Sequence, residues 1–235
     1  MGDVQLTSKE PICVQVGYTH SFIDEYLNSI KALMYQAKNN KYDIHDYIYT
    51  MPTIIFAISF LESAFDLFLY DLENINFCKI SRAQKDKIIE KYTKQLEKLK
   101  NRYTIEQKYN DVLSVMGHDN INNTSNIVTI RKVRNYIIHD KVELLAPWVN
   151  NTEDEIIKLL KTKFIPQSKV SNNNCFWFNY LNYNGTTWIL NEVFNFYISF
   201  CSQLKINSLF KSKINEIQEL HPCTVTNCQE EPNAK

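Results

Sequence analysis

The sequence predicts an all-α fold, an up-and-down bundle of helices, on three observations. Glycine and proline are scarce, with four and six residues among 235, too few for the turns of an all-β sandwich. Apolar residues recur at steps of three and four through most of the chain, the period of helices with one buried face. Hydrophobic residues make up 44% and charged residues 22%, the balance of a chain that buries one sizeable core.

Residues 1–17 have no period and form an irregular lead-in, ahead of a single domain over 18–221 and a tail over 222–235. The first helix starts near Thr19 or Ser21, either of which can cap it. It presents Ile23, Tyr26, Leu27, Ile30, Leu33, Met34 and Ala37 on one face. The second runs from Pro52, suited to a first turn, to Glu73. Ile54, Ile58, Leu61, Phe65, Phe68 and Leu72 follow almost a heptad, which places this helix centrally. Glu62 borders that apolar face. It is either a flank carboxylate with its tip in water or a buried polar partner for a basic residue on another helix, and the first reading is preferred.

Residues 82–100 form a helix with lysines outward and Ile88, Ile89, Tyr92, Leu96 and Leu99 inward. Another helix covers Thr104 to Met116, and Gly117 stops it. The loop 117–126 is polar. Asn123, Thr124 or Ser125 caps the next helix, from Ile127 to Leu145, which Pro147 ends. Thr152 and Glu155 form a capping box for a short helix to Lys163. Residues 164–185 are an irregular insertion rich in asparagine and aromatics. Gly185-Thr186-Thr187 then opens an apolar helix from Trp188 to Leu204, and a last short helix covers 207–220.

Composition excludes several function classes. Acidic and basic residues cancel at 26 each, so no global field draws in nucleic acid or anionic membrane, and such binding needs a local patch. The most apolar stretch, 53–70, contains Glu62 and Asp66, which predicts a core helix and not a membrane span. The N-terminus has no signal pattern, and the Met-Gly start fails as a myristoylation site because position 6 is Leu. The six cysteines show no CxxC pair or compact framework, and Cys201 sits in an apolar helical run as a small buried hydrophobe. These features predict a cytoplasmic protein without membrane contact. There is no P-loop, GxGxxG, HExxH or GxSxG. His221, Cys223 and Cys228 have poor spacing for a metal, and neither metal nor cofactor is expected.

The segment Arg131-Lys132-Val133-Arg134-Asn135-Tyr136-Ile137-Ile138-His139-Asp140 carries chemistry. On a helix Arg131, Asn135 and His139 share one stripe, whereas Arg134 and His139 are about 140° apart around the axis. One ideal helix does not aim both at a single atom, so either its end distorts or a second chain supplies one of them. The pair suits RNA cleavage. A neutral imidazole takes a proton from a ribose 2′-hydroxyl or gives one to the leaving 5′-oxygen. A guanidinium holds the phosphate and stabilises charge growing on it. No metal is required, because the nucleophile belongs to the substrate. The competing reading makes His139 a partner of the helix dipole and the arginines surface ion pairs.

The run Arg134-Asn135-Tyr136-Ile137-Ile138-His139 resembles the HEPN superfamily motif, in which Arg is followed by a polar residue, often Asn, and then by His after four to six intervening residues. The helix FAISFLESAFDLFL, with Glu62 inside an apolar run, resembles the N-terminal core helix of many HEPN proteins. The resemblance covers residues 45–205 and leans on these two stretches.

It implies a HEPN-type bundle with extra N-terminal and C-terminal helices. It implies a homodimer in which the motifs of two protomers face each other, and a metal-independent endoribonuclease of toxin–antitoxin, abortive-infection or antiviral systems. Arg134 would bind phosphate, His139 would be the acid or base, and Asn135 would support the site. Glu62, Arg131 and Asp140 would be helpers, and Lys132 and Lys141 would contact RNA. The implied partners are RNA, a second copy of the chain, and an antitoxin or regulatory protein. In some HEPN toxins a Tyr two residues after the His is modified by a partner nucleotidyltransferase. That position here is Lys141, which puts such neutralisation in doubt. The 164–185 insertion has no counterpart in the family pattern.

Overall fold

The computed structural model describes residues 22–40, 46–74, 80–96, 103–138, 181–206, 208 and 210–222. They form seven helices: α1 (Ile23–Asn39), α2 (Tyr47–Asn74), α3 (Arg82–Leu96), α4 (Ile105–Val115), α5 (Thr124–Ile138), α6 (Tyr183–Gln203) and α7 (Lys211–Leu220). No strand occurs among the described residues, and the result is an all-α helical bundle. The short helix expected over 152–163 and most of the 164–185 insertion lie outside the described residues. So do the lead-in over 1–17, the tail from Cys223 onward and the later part of the motif helix.

The second helix is the hub, as its pattern predicts. α2 packs against α1, α3, α4, α5 and α6. Its heptad residues Ile54, Ile58, Leu61, Phe65, Phe68 and Leu72 are all buried. By length and composition α2 could also cross a membrane, but here its apolar face meets neighbouring helices. Around it lies a mesh of aromatic rings. Tyr109 stands edge-on to Phe200 with centroids 4.6 Å apart, and Phe60 meets Tyr197 at 5.1 Å. Each such buried ring contributes roughly 1.5–3 kcal/mol through lost water contact, and edge-to-face pairing adds to this. The Tyr109 hydroxyl is not wasted in that environment, because it donates to the Leu61 carbonyl at 2.9 Å. Burial raises the pKa of this hydroxyl well above the ordinary tyrosine value, so it stays a donor. Cys201 is buried as expected, and burial pushes its thiol up to about 11.

Several boundaries differ from the sequence reading. α1 begins at Ile23 with Phe22 at its cap position; the expected caps Thr19 and Ser21 lie outside the described residues. α2 starts at Tyr47, which puts Pro52 inside the helix and not in its first turn. The cost is limited because proline removes a single backbone donor near the helix start, and the backbone N–H groups of Tyr49 and Thr50 both close onto Asp46 O at 2.9 Å. α5 opens three residues early, at Thr124. α6 also opens early: Asn182 is its N-cap, its Oδ1 accepting from Gly185 N at 2.9 Å, so Tyr183, Asn184 and Gly185 belong to the helix. Asparagine is among the best N-cap residues, and this one was hidden inside an asparagine-rich stretch.

The end of α4 follows the expectation closely. Gly117 adopts φ +78°, its N–H bonds Ser114 O at 3.1 Å, and the His118 N–H bonds Leu113 O at 2.9 Å. This double closure is a Schellman motif, and the left-handed position explains the glycine. α7 is tied down by polar contacts. Lys213 pairs with Asp24 at 2.6 Å, Lys31 pairs with Glu216, and Lys38 donates to Leu220 O at 3.1 Å.

Candidate functional site around Arg134

α5 turns Ile127, Ile130, Val133 and Tyr136 into the core. That leaves Arg131, Arg134 and Asn135 half-buried at the edge of this face and Lys132 exposed. The two arginines are three residues apart, yet they serve different helices.

Arg131 reaches α4. Its Nε lies 3.0 Å from Glu106 Oε2 and 3.2 Å from Oε1, and its Nη2 lies 2.8 Å from Oε1. Glu106 is 4% exposed. Burial by itself raises the Glu106 pKa, but the Arg131 hydrogen bonds, with those from Thr104 and the Glu106 backbone and the Arg131 charge, more than reverse this, so the carboxyl sits below its ordinary range. Two guanidinium nitrogens meet both carboxylate oxygens in a fork-on-carboxylate geometry.

Arg134 reaches α2, where its Nη2 contacts Glu62 Oε1. The Glu62 side chain is 44% exposed. The structure falls between the two readings: Glu62 has a basic partner on another helix, but it is half-exposed and not buried. The contrast with Arg131 decides the chemistry available. A guanidinium has five N–H donors. Arg134 meets its carboxylate through one nitrogen, and its buried Nε has no hydrogen-bond partner. Arg134 thus meets a half-exposed carboxylate through one nitrogen, whereas Arg131 holds a buried one through two.

His139, Asp140 and Lys141 lie outside the described residues. The structure brings Glu62 and Arg134 together and places Asn135 one position further along α5. It directs Arg131 away, toward Glu106. Ile138, the last described residue of α5, is 46% exposed. Among the described residues no group of three or more His, Cys, Asp or Glu could hold a metal ion.

Sequence reasoning missed Glu106. Its only signal was an acid in the first turn of a helix, where the dipole favours it and where most such acids are solvated. It also missed the role of His221. That side chain is buried, with Nδ1 2.9 Å from the Tyr183 hydroxyl, and its sequence neighbours suggested a tail. Comparison with protein-family models, with curated proteins and with solved structures found no match.

Proposed function

We propose that the chain is a metal-independent endoribonuclease of the HEPN type, acting in the cytoplasm as a toxin or antiviral defence effector. The observation that carries this reading is the meeting of Glu62 and Arg134. The two stretches that resemble the family lie against each other in space. Their contact joins an arginine and a carboxylate at the half-buried edge of the bundle.

In this reading Arg134 exchanges Glu62 for an RNA phosphate. With the Arg134 side chain 19% and the Glu62 side chain 44% exposed, water partly screens the pair, which is worth on the order of 1 kcal/mol, and a phosphate that binds two N–H groups competes for the guanidinium. His139 takes the proton of the ribose 2′-hydroxyl. The 2′-oxygen attacks phosphorus, the P–O5′ bond breaks, and the 5′-oxygen receives a proton, leaving a 2′,3′-cyclic phosphate. The His139 that serves the phosphate held by Arg134 comes from the second protomer, since Arg134 and His139 lie about 140° apart on one ideal helix. Asn135 supports the site through hydrogen bonds, and the exposed Lys132 with Lys141 guides the RNA backbone. An antitoxin or regulatory partner would act by covering this face.

The test is RNA cleavage by the purified full chain in excess EDTA, with the product ends analysed. The expected result is cyclic phosphate or 3′-phosphate ends and loss of cleavage in His139→Ala and Arg134→Ala. Equal RNA decay with wild type and His139→Ala contradicts the proposal. A second reading, a HEPN-like module that binds RNA, a nucleotide or a protein partner without catalysis, is favoured by one observation. Both arginines of the segment already have carboxylate partners, which a structural role alone would explain. Tight binding without turnover is its signature.

A further inference from the structure

A cleft of about 560 Å³ opens between the α4–α5 loop and one face of α6. It lies at the opposite end of α5 from the motif, since Arg134 is ten residues along, about 15 Å of helical rise. It is separate from the proposed ribonuclease site.

One wall is a stripe of α6. Glu192, Asn195, Ser199 and Gln203 follow one another at steps of three, four and four residues, so they share a face. The rest of that helix is strongly apolar and mostly buried, with Val193, Phe194, Phe196, Tyr197 and Phe200 in the core. The stripe is a polar face on a core helix, turned to the cleft.

The other wall is the loop with His118, Asp119 and Asn122. Its backbone is held from both sides. The Schellman closure at Gly117 fixes its start. Asn110 on α4 fixes its end, accepting from Ile121 N at 3.0 Å and donating to Thr124 Oγ1 at 3.0 Å. Ile121 is buried as an anchor. The walls are joined by Glu192, whose Oε2 accepts from Asn123 Nδ2 at 2.9 Å and from Asn126 Nδ2 at 2.8 Å. These bonds orient the carboxylate without neutralising it. The Oδ1 of that same Asn126 is buried with no hydrogen-bond partner. A concave site whose polar groups are positioned before a ligand arrives loses little entropy on binding.

The lining selects the ligand. Among the described residues it holds two carboxylates, Asp119 and Glu192, and neither lysine nor arginine, a lining that disfavours phosphates and nucleotides. Among the described residues its one ring is the His118 imidazole, and no Phe, Tyr or Trp lines it as a broad platform for a nucleobase. What it offers in quantity is amide groups, each both donor and acceptor, beside carboxylates that only accept. A hydroxyl group matches that set, because it donates to a carboxylate while accepting from an amide. We propose that this cleft binds a small neutral polyhydroxylated ligand, a mono- or oligosaccharide.

The experiment is amide-resolved NMR of the full chain, titrated to millimolar levels with ribose, glucose, mannose and maltotriose, and separately with spermidine and with AMP. The expected result is saturable movement of the Gly117–Asn123 and Glu192–Gln203 signals with at least one sugar. Glu192→Gln removes the charged acceptor and weakens that binding about tenfold. Ser199→Leu, at a partly exposed position, fills the cleft and abolishes binding while the helical circular dichroism stays at the wild-type level. Movement of these signals with spermidine or AMP but with no sugar overturns the proposal, as does the absence of any response to the sugars. Sugar binding unchanged in Ser199→Leu overturns it as well.

Discussion

Arg131 and Arg134 have the same side chain on the same helix, and what separates them is the burial of the carboxylate each one meets. Such differences are poorly legible in sequence. The apolar frame around Arg134 was visible, and so was Glu62 at its border, but the pattern could not say which arginine that carboxylate would face. His221 teaches the same lesson more sharply. In the sequence it adjoins a tail with two cysteines, whereas in the structure it closes α7 onto α6 through Tyr183. Burial, helped by the positive charge of Lys38, lowers its pKa below the ordinary 6.5, so the folded chain favours the neutral ring. The unfolded chain then binds the proton more readily, and stability is lost as pH falls below about 6.5 toward the lowered value. Urea unfolding above and below that pH should show the loss in wild type and a smaller one in His221→Gln. An identical pH slope in both contradicts this assignment.

At the scale of elements, the helices were legible because their apolar period is strong. The central place of α2 followed from its near-heptad, and the stop of α4 followed from Gly117. The starts of α2 and α6 were not legible. Pro52 looked like a first-turn residue although the turn before it closes on Asp46, and the capping Asn182 was one asparagine among many. The joint between α4 and α5 was invisible, since it depends on Glu106 meeting Arg131 across 25 residues of sequence. That joint holds the motif helix in place. Arg131→Met leaves Glu106 buried without its cation and should cost about 3–5 kcal/mol of unfolding free energy. Replacing both residues, with Glu106→Gln added, should recover a large part of that loss, with a coupling of about 1–3 kcal/mol in the double-mutant cycle. Additive losses in denaturant unfolding contradict the buried pair.

For the whole molecule, one bundle carries two separate surfaces on the same helix. The amide-lined cleft is at the beginning of α5 and the Arg134 face is toward its end. The bundle itself was legible from composition and period. The pairing of two chains is proposed: the family resemblance implies it, and it would resolve the angle between Arg134 and His139 on one ideal helix. That is the central claim, and mixing two inactive chains tests it most directly. Arg134→Ala and His139→Ala proteins are purified, unfolded and refolded together, and RNA cleavage in EDTA is measured. If each site takes its arginine from one chain and its histidine from the other, half of the randomly paired dimers are mixed and each has one intact site of two, so activity returns to about a quarter of wild type while each variant alone stays inactive. No recovery in the mixture contradicts the shared site, and cleavage at the wild-type rate by either variant alone contradicts the ribonuclease reading itself.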